Sequence, residues 1–530
     1  MIKALGDKIY LTVITFSSWW PEVDNEQDKL ARIIVAIFVP AFLVVLYKWM
    51  LYNTKWARSS LPPGPYGLPI VGYLPFFGSN VHEIFATMGQ KYGPIFSLRL
   101  GSKLHVVVNS SDVVKIVARD MDQNFANRSP PLTAATITYG GIDIVWSNSD
   151  KNWKNMRKIL VSQVLSNTNL NTCFRTREIR KVVNEVYNKL GEKININQIA
   201  FNTTQNAITN MLWGNTKSGY NANEFLDVKF KILELLGAPN ISDFFPMLSW
   251  FDLQGINREM QKQFEYVDRI FNSIIEEKNK VNDKIDGTFG EDETKDYLQI
   301  LLDLVYQKND PTTFNMIHIK ALLLNIVIGA TDNTSTTVEW VMAEILNNPD
   351  VMKKVQEELT DVIGLNNIVE ESHLSKLTYL DAVIKETFRL HPPNPLLLHR
   401  SPVESCIVAG HTIPNGTVVY INVFAIMRDP NNWENPLEFK PERFLNNKWD
   451  YNGNNFKFLP FGSGRRICPG IAVGEKMLIN ILASLLHSFD WTLPKDEDFE
   501  LSDEFGLVLK KKKPLIVIPS QRLSSVSLYN

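Results

Sequence analysis

Residues 461–470 gather the most chemistry in this chain: Phe461, three glycines, Arg465, Arg466 and Cys468, all directly ahead of an apolar helical pattern. Glycines at 462, 464 and 470 allow a tight turn whose backbone can run close to a flat ligand. A thiol set among backbone N–H groups, beside arginines and just before a helix N-terminus, has its ionised form favoured, and the thiolate is the form that ligates metals. Cys468 therefore reads as a metal ligand, and its loop as the holder of an anion-bearing cofactor. Cys173 and Cys406 have no such setting and read as small buried hydrophobes.

Two further groupings carry polar chemistry inside apolar patterns. The helical pattern over 319–346 is interrupted at 329–337, where Gly329, Ala330, Thr331, Asp332, Asn333 and Thr334 stand in a row. Ordinary packing rarely places an Asp, an Asn and several threonines in a buried helix; a groove that needs little side-chain bulk, proton donors and a locally distorted helix does. Glu386 and Arg389 lie three apart on one helical face, where they can pair.

Phe461, Gly464, Arg466, Cys468 and Gly470 stand at the spacing of the haem-binding loop of the cytochrome P-450 superfamily, which this chain resembles over residues 61–520. The resemblance implies that fold, mainly α with a small β portion. It also implies haem b as cofactor, with a cysteine thiolate as axial ligand that favours O–O cleavage. Electrons would come from NADPH through a flavoprotein reductase. On the same grounds Asp332, Asn333 and Thr334 are the expected catalytic residues and Ala330 the one nearest the haem face. Asn333 occupies the place of the family's usual first threonine, and an amide relays protons poorly. Cofactor contacts are expected from Phe461, Gly462, Arg466, Cys468 and Gly470. Trp153, Arg157 and Arg400 join Arg466 as expected partners of the haem propionates. Glu386, Arg389 and Arg443 resemble the family's structural triad, and His399 is not expected to be a ligand. Val338 to Trp340, Lys448 to Asn455 and Leu509 to Pro514 are similar to plant sesquiterpene (cadinene-type) hydroxylases. By analogy the pocket draws on 129–145, on Asn325, Ile328, Ala330 and Asn333, on 394–398 and on 505–508, walls suited to a small lipophilic terpenoid.

The elements that must position these groups follow from the rest of the chain. With 530 residues, 45% hydrophobic and 21% charged, it can build a core around a cofactor, and its net charge of -2 leaves no electrostatic footprint for nucleic acid. The uncharged run over 33–47, continued by apolar residues past Lys48, predicts one membrane span at about 33–53. Acids precede it, and Lys48, Lys55 and Arg58 follow, which predicts a cytosolic body; the resemblance implies that the membrane is that of the endoplasmic reticulum. Residues 9–21, with Trp19 and Trp20, are expected at the bilayer interface. The division is an anchor region over 1–53, a stiff proline-rich hinge over 54–69, a catalytic domain over 70–520 and a tail over 521–530. Residues 94–100 and 104–109 predict a hairpin, and 280–296 a solvated loop. Residues 506–509 and 515–518 predict a second hairpin with the lysines at 510–513 in its turn. The expected activity is monooxygenation of a small lipophilic plant metabolite. Two alternatives stay open because of Asn333: a haem-thiolate dehydratase or isomerase, for example on aldoximes, and a non-catalytic haem-binding membrane partner.

Overall fold

The computed structural model describes residues 26–52, 60–166, 177–214, 222–284, 295–307, 314–445 and 448–529, so the expectations for 9–21, for 54–59 and for Cys173 lie outside the described residues. The chain divides into Met1–Ser59 with Leu68–Ile70, and Ser60–Gly67 with Val71–Asn530. In the first unit, helix α1 (Glu26–Tyr52) contains Pro40. Its apolar segment is Ile37–Lys48, and it exposes Ile37, Phe38, Phe42 and Val44.

The second unit, the body, is mostly helical. Its helices used below are α2 (Val81–Tyr92), α3 (Lys151–Ile159), α4 (Ile196–Trp213), α5 (Ala222–Gly237), α6 (Ile256–Lys284), α7 (Met316–Asn347), α8 (Thr378–Leu390) and α9 (Ile471–Ser488). Helix α7 is apolar on nearly every side, as a helix must be when neighbours surround it, and it packs against α4, α8 and α9. Asn315 caps it by accepting from the N–H groups of Ile317 and His318. The small and polar residues at 329–337 interrupt the apolar pattern but not the helix: α7 is continuous through them, without the local distortion expected there. The polar side chains there bond back one turn, Asn333 Nδ2 to the Gly329 carbonyl (2.7 Å), Thr334 Oγ1 to Ala330 (2.8 Å) and Thr337 Oγ1 to Asn333 (2.8 Å). Such bonds satisfy the side chains without opening the helix.

Strands β1 (Ile95–Leu100) and β2 (Lys103–Val108) form the expected hairpin. Gly101 turns it at φ +58°, and a Cβ there would lie 2.4 Å from the Phe244 carbonyl oxygen. The sheet is completed by a parallel strand, Val418–Ile421, beside β2. The half of the hinge at 60–67 is not a free spacer but part of the body. Ser97 donates its N–H to Pro63 O and its hydroxyl to Pro62 O, each at 2.7 Å, and a Cβ on Gly64 would sit 1.7 Å from Ser97 O. Helix α6 continues to Lys284, so the start of the solvated loop expected over 280–296 is helical, and 285–294 lie outside the described residues.

The C-terminal hairpin is built differently from the expectation. Asp503–Glu504 pairs with Lys510–Lys511, so residues 505–509 form the turn and two of the lysines lie in a strand. The strand Ile516–Gln521 pairs instead with Ile194–Asn195 and Phe489–Thr492. Two of the lysines contact the body: Lys510 Nζ lies 2.9 Å from an Asp332 oxygen, and Lys511 donates to the Glu500 carbonyl and lies over the Trp340 ring, whereas Lys512 and Lys513 are exposed. Of the run 506–509, Leu507 and Val508 face a cavity. The tail is also bound, for Tyr529 is buried and its hydroxyl donates to Ser488 O at 2.7 Å.

Candidate active site

The cysteine loop is held shut by its own backbone, with the Cys468 N–H donating to Phe461 O at 3.0 Å. Gly464 is obligatory: at φ +65° a Cβ would come within 2.3 Å of the Ala118 carbonyl oxygen. Gly462 also has positive φ (+75°), whereas Gly470 does not. Phe461 wedges edge-on against Phe388 of α8 and Tyr451, with centroids 5.2 and 5.1 Å away. Cys468 Sγ accepts a weak hydrogen bond from the Gly470 N–H at 3.4 Å.

The charge around that sulfur departs from the expectation. Arg465 turns outward to Asp122 (3.2 Å), and Arg466 is committed elsewhere. Arg157, from α3, is the guanidinium whose charge favours the thiolate, and it donates to the adjacent Ile467 carbonyl at 2.5 Å. Burial outweighs it and the Gly470 N–H, pushing the Cys468 thiol up. Deprotonation of such a buried thiol goes with metal ligation itself.

Four arginines line one cavity: Arg128, Arg157, Arg400 and Arg466. Arg400 donates to Ser463 O (2.6 Å) and pairs with Asp122 (3.3 Å). Arg466 donates to the carbonyls of Ala126 (2.6 Å), Ile144 (3.3 Å) and Ser147. Arg128 donates to those of Val145 (3.1 Å), His399 (3.0 Å) and Leu398. Burial, then repulsion from Arg400, pushes Arg466 down to about 10. Burial with repulsion from Arg466 and Arg400 pushes Arg128 well down too. Carbonyl dipoles satisfy the N–H groups but do not cancel so much charge, and Asp122 and Asp143 are the carboxylates opposing it. This excess of buried positive charge fits a flat ligand with two carboxylates, as haem is. Trp153 is buried beneath the Arg466 guanidinium, 4.2 Å from its ring centroid, but its indole N–H donates to the Ile144 carbonyl at 3.0 Å rather than into the cavity.

The cavity, about 340 Å³, has Cys468, Phe461, Gly462 and Gly470 on one wall. Facing them along α7 are Asn325, Ile328, Gly329, Ala330, Asn333, Thr334 and Thr337. The roof comes from Ile137, Ile144 and Val145, from Asn394, Leu397 and Leu398, and from Leu507 and Val508, matching the stretches expected by analogy. Asp332 is not on the wall. A helix rotates about 100° per residue, so between Ala330 and Asn333 it points away from the cavity, buried against Lys510. The sequence reading missed Arg128 and Thr337. Arg128 belongs to no spaced motif, and its bonds run to carbonyls from loops as far apart as 145 and 399. Thr337 lies one turn beyond Asn333, a spacing that could have revealed it.

A predominantly helical body, with a thiol on a glycine turn and an apolar chamber rimmed by guanidinium groups in excess of the carboxylates near them, fits a haem-thiolate protein. The chain belongs to the cytochrome P450 family, whose model matches residues 62–518. It is a monooxygenase that uses haem b, with a reductase as redox partner and a lipophilic substrate. Among curated relatives, it is 38% identical to cytochrome P450 76C2 of Arabidopsis thaliana over 91% of this chain and 97% of that one. Geraniol 8-hydroxylase of Catharanthus roseus is 36% identical over 93% and 100%, and flavonoid 3',5'-hydroxylase of Solanum melongena 35% identical over 93% and 97%. A zebrafish cytochrome P450 structure with abiraterone superposes at TM-score 0.70, with 24% identity over 83% of this chain and 99% of that one, a likeness in fold.

Proposed function

We propose that this monooxygenase hydroxylates a small terpenoid, using electrons from NADPH delivered by a cytochrome reductase at the endoplasmic-reticulum membrane. The observation that carries the reading is the cavity wall: opposite Cys468 it is made of Ile, Leu, Val and Ala, with Asn325, Asn333, Thr334 and Asn394 as spaced polar points. Such a surface suits a hydrocarbon skeleton with at most one or two oxygens. The relatives named for geraniol and geranylhydroquinone hydroxylation support the terpenoid class. In this reading α1 is the anchor, spanning about 33–53, and the body faces the cytosol.

Haem b, when bound, supplies the oxidising chemistry. Cys468 would hold its iron through the sulfur, and the loop closure to Phe461 fixes where that sulfur sits. Arg128, Arg157, Arg400 and Arg466 balance the propionates, with Trp153 stacked beneath Arg466 as support. Ala330 and Gly329 would leave room for the ring and a substrate, and Leu507, Val508 and Ile144 would keep water out. Thr334 is the hydroxyl on the same turn as Asn333 and holds a proton at Oγ1, hydrogen-bonded to Ala330 O. It serves in place of the threonine absent at 333, and the Asn333 amide orients the bound substrate or a water. Asp332 acts from behind the wall, as a positioning group.

The test is expression in membranes with a reductase and feeding of monoterpene and sesquiterpene alcohols, flavonoids and aldoximes, with products read by mass. NADPH- and oxygen-dependent addition of one oxygen to a terpenoid is expected. Turnover of an aldoxime without NADPH or oxygen would overturn the reading in favour of a dehydratase.

A further inference from the structure

Away from the cavity, His82 at the start of α2 poses a problem of hydrogen bonding. Its side chain is fully buried, yet neither ring nitrogen has a hydrogen-bond partner. A neutral imidazole carries one donor and one acceptor, and leaving both unmet in a buried ring is costly. The ring lies parallel to Phe505, with centroids 5.3 Å apart, and edge-on to Phe424 at 4.5 Å, so it is fixed in place. A carboxylate stands beside it: an Asp503 oxygen lies 3.7 Å from Nε2. That is too far for a hydrogen bond but matches two ligands of one zinc ion, since bonds of about 2.1 Å each reach separations up to about 4 Å. A Glu83 oxygen completes a set of three ligand atoms within 4.8 Å of one another.

We propose that His82, Glu83 and Asp503 form a divalent-cation site selective for zinc, which ties α2 to the C-terminal turn that closes the substrate cavity. One imidazole and two carboxylates suit zinc, with water in the fourth position; calcium would ask for more oxygens. Asp503 opens the strand whose turn carries Leu507 and Val508 into the cavity roof. A metal bond at 503 thus holds a substrate-facing segment against the body. Two features work against the ion and keep its affinity moderate: the positive N-terminal end of α2, and the buried Arg428, which also feels the charges of Asp503 and Glu83.

The experiment uses the full-length holoprotein in detergent, stripped with a chelator, dialysed against zinc chloride and assayed for zinc per haem. One saturable zinc per haem is expected, at least tenfold weaker in Asp503→Asn and in Glu83→Gln, two partly exposed positions where substitution leaves the core intact. Hydrogen exchange of the 503–511 amides should slow severalfold when zinc is added to the wild type and stay unchanged in Asp503→Asn. The absence of saturable zinc in the wild type, or undiminished zinc in Asp503→Asn, overturns the site. Bound zinc with no slowing at 503–511 overturns the clamp.

Discussion

Two groups of buried arginines in this protein face opposite electrostatic conditions. Around Glu386, Arg389 is fully buried and makes a two-pronged pair with the carboxylate at 2.7 and 2.8 Å. It spends its remaining N–H groups on the carbonyls of Met427, Pro436 and Glu438. Arg443 approaches the same carboxylate at 3.3 Å, and the Lys440 N–H donates to it at 2.9 Å. Around the cavity, Arg128, Arg157 and Arg466 have carbonyls as their hydrogen-bond acceptors, and Arg400 has Asp122 at 3.3 Å. The first group is closed on itself and fixes the segment leading to the cysteine loop. The second is complete only with an outside anion. Burial alone does not distinguish a structural arginine from a binding one; the identity of the acceptor does.

The largest expected effect comes from the ligand side. Cys468→Ala should abolish the thiolate signature in the reduced carbon-monoxide spectrum and all turnover, while far-ultraviolet dichroism stays unchanged. A surviving signature would remove the cysteine from the site. Next, Glu386→Gln leaves Arg389 buried beside a neutral amide, a loss of about 3–5 kcal/mol. Urea unfolding should show it in protein with and without haem, which separates it from the second group. Arg400→Ala should do the opposite, leaving the apoprotein's stability nearly unchanged because a repelling charge is removed, while haem transfers to apomyoglobin roughly tenfold faster. If Arg400→Ala lowered apoprotein stability as much as Glu386→Gln does, the contrast between the two groups would fail. Smaller still, Asn333→Thr should raise the fraction of NADPH converted to product a fewfold, read as product against NADPH consumed; loss of product would give Asn333 a positive role. The smallest change in stability belongs to Asp332→Asn, at most about 1 kcal/mol because its partner Lys510 is 44% exposed, though product formation should fall.

What could be read in advance divides along the same line. The Glu386–Arg389 pair was visible because both partners lie on one helical face, and the cysteine loop because its ligand, glycines and Phe461 are contiguous. The β1–β2 hairpin was visible for the same local reason. Arg128 was invisible, since its acceptors come from Val145 and from Leu398 and His399, brought together only by the fold. The C-terminal hairpin was misread because an apolar run followed by lysines has the same pattern whether it pairs as a strand or lines a cavity. Asp332 was expected to be catalytic with its neighbours Asn333 and Thr334, but helical rotation turns it away from the cavity, against Lys510.

By itself the sequence singled out the cysteine proposed as ligand, the turn that presents it and the small and polar residues of the long helix, because each depends on residues near one another in the chain. Only the tertiary structure decided that Arg157 rather than Arg465 or Arg466 attends the sulfur, that Arg128 joins the rim, and that Asp332 turns away from the cavity. Charge acts through space, and the distances that weigh it exist only once distant loops have met.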